Sequence, residues 1–191
     1  MLGVSQTKPA SQSKANAQPK VKSQPKAKSM VPWKHVARDA GLLALTLFAW
    51  QLDGTARAAE SALEWVTAPT AGALTAIVGY LFHEWGHLLA ARATGSVVRL
   101  PDRASEVFLF NFHSDRNSAR QFLAMSLGGY AASILVIALL LVVLPLDTLA
   151  GKIALTLVGL GVLATAILEL PPFFAVLRGG PLPRGTAYVG D

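Results

Sequence analysis

Residues 77–91 read IVGYLFHEWGHLLAA, an apolar run that carries the pattern H-E-x-x-H at residues 83–87. On an α-helix, side chains four positions apart face the same way, so His83 and His87 can bind one metal ion together. Glu84 lies between them, where a general base can take a proton from a water at the metal. Ionisable side chains are costly at membrane depth, so their presence in this run indicates a function. The spacing favours hydrolysis that depends on Zn²⁺.

The composition indicates a small membrane protein. Of the 191 residues, 52% are hydrophobic and 15% are charged, whereas a soluble domain carries about 25% charged residues. Cysteine is absent, so any metal must be held by His, Asp or Glu. A transmembrane helix needs about 20 apolar residues. The sequence therefore predicts an all-α polytopic membrane protein with about four transmembrane helices, near residues 40–55, 70–93, 122–144 and 153–177.

The basic charge is concentrated at the N-terminal end. Seven of the eight lysines lie at or before Lys34, in a Ser/Gln/Pro/Ala-rich tract without hydrophobic periodicity. We predict that residues 1–35 are a disordered basic cytoplasmic tail drawn to the lipid bilayer, with His35 solvated, and that residues 36–191 form a membrane-embedded metallopeptidase-like domain. A nucleic-acid partner is not expected, because it would require a basic folded face or stacking aromatics.

The first apolar segment has two interpretations. Its core, residues 40–52, is short for a span. It is either a tilted helix that is retained or a signal-peptide core, since Ala56-Arg57-Ala58 resembles a cleavage site. The retained helix is favoured, because a long lysine-rich lead is unusual in a signal peptide. Asp53 is expected in a turn at the end of this helix.

The basic residues also predict the orientation. With the N-terminus in the cytoplasm, 15 of the 17 lie on the cytoplasmic side, and the outer loops hold only Arg57 and Lys152. This predicts a multi-pass protein of the cell inner (plasma) membrane. The apolar patch at residues 107–112, in the cytoplasmic loop, predicts a strand. Such a strand could pair with an extended substrate by edge addition, or form a hairpin on the membrane surface.

A third metal ligand is expected from the fourth span. Of eleven acidic residues, only Glu84 and Glu169 lie well inside the predicted spans. A catalytic zinc commonly has three protein ligands, and Glu169 lies at a depth similar to that of His87. His113 or Asp115 from the cytoplasmic loop, or no third side chain, remain alternatives. Pro171-Pro172 predicts a broken helix that would help the Glu169 carboxylate turn towards the metal.

The third span carries a ridge of small residues. Ala124, Gly128 and Ala132 recur at helical spacing, with Gly129 alongside. Small residues let helix backbones approach closely in a membrane. We interpret this ridge as scaffolding for the site.

Two stretches of this sequence resemble a known family. Residues 83–95 (HEWGHLLAARATG) look like the zinc helix of the site-2 protease class of intramembrane metalloproteases, in particular its small bacterial "B-like" branch. Residues 126–133 (SLGGYAAS) are similar to that family's Gly-rich helix start, and the resemblance extends over residues 71–180. It implies a three-helix catalytic core, a buried zinc held by His83 and His87, Glu84 as base, and regulated cleavage of membrane-bound protein substrates.

The fourth span departs from the family pattern. The family's third ligand is an aspartate, whereas this chain reads Leu168-Glu169-Leu170-Pro171-Pro172 and has Arg178 near the expected aspartate position. Two functions therefore compete. One is an intramembrane zinc endopeptidase that acts on membrane-associated proteins. The other is a catalytically inactive membrane scaffold or regulator that keeps the fold.

Overall fold

The computed structural model describes residues 33–101, 103, 108–185 and 188–189, which are mostly helical. The helices are α1 (Trp33–Ala58), α2 (Glu64–Ala93), α3 (Ala119–Val143) and α4 (Leu149–Leu177). The strands β1 (Val98–Arg99), β2 (Asn111–His113) and β3 (Tyr188–Val189) form one sheet in that order, and a 3-10 turn (Ser114–Arg116) follows β2. The predicted disordered tail lies outside the described residues, except that residues 33–35 begin α1.

Three helices in the described part of the chain, α2, α3 and α4, are long and apolar enough to cross a membrane. The prediction of about four such helices is confirmed for these three, and α1 is not among them. α1 is helical over the predicted first span, but Lys34, Arg38, Asp39, Asp53 and Arg57 lower its hydropathy.

The outer surface of the bundle is apolar. Large aliphatic side chains on α3 and α4 are 65–85% exposed, namely Ile134, Leu135, Val142, Ile167 and Leu168. Such a surface is unfavourable in water and matches hydrocarbon surroundings. The fold is therefore a helical bundle with an outer surface that suits a membrane.

The central helix α2 packs against α1, α3 and α4. It approaches α3 closely because both helices carry glycine at the crossing. A Cβ on Gly86 would lie 2.5 Å from the carbonyl oxygen of Gly128 and 2.6 Å from the Cβ of Ala132. The close packing predicted for the ridge of small residues is confirmed at Gly128 and Ala132.

Polar contacts connect α1 to α2. Asp53 is 2% exposed and accepts a hydrogen bond from Thr67 Oγ1 at 3.1 Å, so the expected helix-end turn at Asp53 is wrong. His35 is also buried, not solvated, because α1 begins at Trp33. Near the site, Trp85 Nε1 donates to Asp39 Oδ2 at 2.7 Å. The tryptophan inside the H-E-x-x-H sequence thus anchors α2 to α1.

The fourth helix is continuous, and the predicted break at Pro171-Pro172 is wrong. α4 extends through both prolines to Leu177. Two consecutive prolines remove two helical N–H donors, but the residues on either side still form helical hydrogen bonds. Glu169 therefore projects from an unbroken helix.

The loop between α2 and α3 folds into a small core. Leu109, Phe110 and Phe112 are at most 7% exposed and pack against Leu88 of α2 and Phe122 of α3. The strand predicted at residues 107–112 is confirmed only in part, since β2 begins at Asn111. β2 pairs with β1 on one side and β3 on the other, so it has no free edge, contrary to the expectation for edge addition.

The glycine contact between α2 and α3 gives the first prediction. We expect Gly128→Ala to lower the stability of the protein by about 1–3 kcal/mol, because the added methyl group would overlap Ala90. The measurement is thermal unfolding in detergent micelles. Gly159→Ala is the matched control, since nothing lies within 4 Å of its added Cβ. Equal unfolding temperatures for the two variants would contradict the prediction.

Candidate metal centre

The structure brings together three side chains that could hold a metal ion: His83 and His87 of α2 and Glu169 of α4. The two Nε2 atoms lie 2.9 Å apart. Glu169 Oε1 lies 3.1 Å from His83 Nε2, and Glu169 Oε2 lies 3.4 Å from His87 Nε2. Both histidines are buried, at 3% and 7% exposure. Glu169 therefore lies beside the two histidines, as expected of a third ligand. Its role as a ligand stays a prediction.

The other ring nitrogens determine the histidine tautomers. His87 Nδ1 donates to the carbonyl oxygen of Met125 at 2.9 Å, and His83 Nδ1 donates to that of Gly129 at 3.1 Å. A carbonyl oxygen only accepts, so each Nδ1 must carry a proton. In the neutral rings, both Nε2 atoms then present lone pairs.

These lone pairs converge on one point together with the Glu169 carboxylate. Lone pairs about 3 Å apart repel one another unless positive charge lies between them, either a metal cation or protons on Nε2. Tetrahedral zinc with bonds of about 2.0–2.1 Å would separate its ligand atoms by about 3.3 Å. The observed separations of 2.9, 3.1 and 3.4 Å are close to that value. The donor set therefore fits a metal such as Zn²⁺.

One face of α3 supports both imidazoles. Met125, Gly129 and Ser133 are four residues apart, so they form a stripe on this face. Ser133 Oγ lies 2.9 Å from His83 Nδ1, and any Cβ on Gly129 would overlap the His87 ring. Sequence reasoning treated Gly129 as scaffolding and missed Met125 and Ser133. Met125, Gly129 and Ser133 recur every four residues, as do the two histidines. This shared spacing is the feature of the sequence that could have identified them.

Glu84, the predicted base, is 6% exposed and faces the loop core. Its Oε2 accepts a hydrogen bond from the backbone N–H of Leu109 at 3.1 Å. This bond orients the carboxylate. The catalytic role of Glu84 stays a prediction.

A cavity of about 390 Å³ lies beside the centre. Its polar lining includes Glu84, His87, Glu169 and Tyr188, and the side chains of Phe108, Phe110, Phe112 and Leu168 make it largely apolar. Burial raises the pKa of Tyr188 to about 12, and the carboxylates of Glu169 and Glu84 add to the rise. The volume is within the usual range for ligand pockets of about 300–1,000 Å³.

The alternative third ligands do not join this group. Asp115 forms an ion pair with Arg184 at 2.7 Å, and His113 lies in β2. Among the described residues, the cluster that could hold a metal ion contains Glu169 and neither of these side chains.

A scan against protein-family models found no match, and searches of curated proteins and of solved structures found no similar protein.

The geometry predicts that metal binding depends on Glu169. We expect Glu169→Ala to lower the bound metal per protein molecule at least tenfold after dialysis, because one of three donors is lost. Inductively coupled plasma mass spectrometry measures the occupancy. Asp115→Ala is the control and should keep the wild-type occupancy. Full occupancy in Glu169→Ala would remove this residue from the ligand set.

Ser133 is expected to tune the centre without binding the metal. Ser133→Ala should weaken metal binding by about 10–100-fold, because the hydrogen bond to His83 Nδ1 is lost. Competition with a chelator of known affinity measures the change. Thr165→Val serves as the control, since within the described residues Thr165 Oγ1 bonds the Val162 carbonyl of its own helix. Equal affinities for both variants would show that Ser133 has no such role.

Proposed function

We propose that this protein is an intramembrane zinc metalloendopeptidase that hydrolyses peptide bonds of membrane-associated protein substrates. The observation that supports it most directly is the convergence of His83, His87 and Glu169 between apolar helices, with Glu84 on the same helix as the histidines. Ionisable side chains with this arrangement are costly to keep in lipid, so their presence indicates a function.

Zinc is the metal that the donor set favours. Two imidazole nitrogens and one carboxylate are typical ligands of a catalytic zinc with an open fourth position. When bound, zinc would polarise the scissile carbonyl and lower the pKa of a water towards about 7.

The protein residues supply the remaining parts of the reaction. Glu84 would take a proton from the attacking water and pass it to the leaving nitrogen. The hydrogen bond from the Leu109 N–H to Oε2 orients this carboxylate. The α3 carbonyls hold the imidazoles, and the apolar cavity walls limit access of bulk water.

The location of the centre supports a membrane-associated substrate. Glu169 lies eight residues before the end of α4, and His87 lies six residues before the end of α2. At about 1.5 Å per residue, both are about 9–12 Å inside their helix ends. We place the protein in the plasma membrane. The excess of basic residues on one side of the predicted spans favours a cytoplasmic N-terminus. The centre would then open towards the cytoplasmic side.

Substitution of Glu84 tests the proposal against a non-catalytic scaffold. We expect Glu84→Gln to reduce cleavage of fluorescein-labelled casein by zinc-loaded protein in micelles at least 100-fold, because the amide cannot accept the proton. Bound zinc should remain, since Glu84 is not in the ligand set. Glu64→Gln, at the start of the same helix, is the control and should retain full activity.

A comparison of new N-termini in membranes that contain wild-type or Glu84→Gln protein extends this test to natural substrates. If the wild-type protein binds no zinc and the two membranes give the same N-termini, the protein is a scaffold or regulator and not a peptidase.

A further inference from the structure

The chain that follows α4 returns to the candidate metal centre. We call residues 181–185 and 188–189 the post-α4 segment. Ser114 Oγ donates to the carbonyl oxygen of Pro183 at 2.6 Å, and Arg184 pairs with Asp115 at 2.7 Å. Beyond these contacts, the segment forms β3 along β2. It is therefore attached to the loop core on the side of the cavity.

The post-α4 segment forms part of the cavity wall. Gly185 and Tyr188 line the same space as Glu84 and Glu169. The Tyr188 ring packs against Phe122, with ring centroids 5.8 Å apart. Anything that fills this cavity must contact or displace the segment.

β3 occupies the position that an added strand would take. Phe112 of β2 is in register with Tyr188, and His113 is in register with Val189. A peptidase acts on an extended backbone, and an extended peptide gains affinity by main-chain hydrogen bonds to a sheet edge. Here the chain's own strand covers the edge of β2 that adjoins the cavity.

We propose that the cavity edge of β2 is the binding site for an extended polypeptide and that the post-α4 segment is its intramolecular competitor. The polypeptide binds when β3 leaves β2. Cleavage of that polypeptide rests on the proposed peptidase function, whereas the binding competition does not.

The contacts of the segment suit a reversible competitor. β3 has only two residues, and the backbone N–H and C=O of Tyr188 both bond to Gly185 at 3.0 Å. The Arg184 side chain is 75% exposed, and exposed ion pairs contribute little to stability. Segments with few buried contacts open locally without global unfolding.

Two variants of the full chain change the competition in opposite directions. Ser114→Ala with Asp115→Ala removes the hydrogen bond to Pro183 and the ion pair with Arg184, and should favour release of the segment. His113→Cys with Val189→Cys joins the β2–β3 register pair, and no other cysteine exists in the sequence to form a disulfide. The phosphine TCEP reverses this lock in the same sample. Asp147→Ala, an exposed acid between α3 and α4, is the control.

The first measurement does not depend on catalysis. A fluorescein-labelled peptide with the sequence of residues 181–191 is titrated against each protein in micelles, with fluorescence anisotropy as the readout. We expect the released variant to bind it at least tenfold more tightly than wild type or Asp147→Ala. The oxidised lock should show no saturable binding, and TCEP should restore it. Equal affinity in all forms would overturn the proposal.

The second measurement is casein cleavage with the same proteins loaded with zinc. We expect at least a threefold higher rate for the released variant and at least a tenfold lower rate for the oxidised lock, reversed by TCEP. An unchanged rate in the oxidised lock would overturn the competition while the peptidase function stands. Peptide binding that follows the expected order without cleavage in any form would support the competition and remove the peptidase function.

Discussion

The candidate centre depends on two hydrogen bonds from histidine side chains to the backbone of a neighbouring helix. Met125 and Gly129 offer their carbonyl oxygens to His87 and His83, so both rings keep their protons on Nδ1. This places two Nε2 lone pairs beside the Glu169 carboxylate. The close approach of α2 and α3 is a condition for this arrangement, and it requires Gly86 and Gly128, because any Cβ would separate the helices.

The apolar surroundings of these helices explain why so many contacts converge on few polar groups. A polar side chain in hydrocarbon must find its partners within the protein, and each one left unsatisfied costs several kcal/mol. Accordingly, Glu84 bonds Leu109, and Trp85 bonds Asp39. The same helix therefore presents His83, His87 and Glu84 to α3, α4 and the loop while Trp85 anchors it to α1.

The loop core links the candidate centre to the chain that follows α4. Leu109 orients Glu84, and three residues further on Phe112 pairs with Tyr188. A change in the strand pairing of β2 would therefore occur close to Glu84, the predicted base. If the protein is a peptidase as proposed, this proximity would link access to the cavity with the orientation of Glu84.

The sequence alone was sufficient for the long apolar helices and for the pair of histidines on one helix face, because both follow from local sequence patterns. The choice of Glu169 came from its isolation in an apolar span, and the structure places it beside that pair. The continuation of α4 through two prolines was not predicted, because packing against neighbouring helices determines whether a proline breaks a helix.

Only the tertiary structure shows the α3 carbonyls, the Leu109 amide and the β3 strand at the site, since each contact joins residues 25 to 76 positions apart. Backbone groups leave no residue-specific signal in the sequence, so their roles depend on how the helices pack.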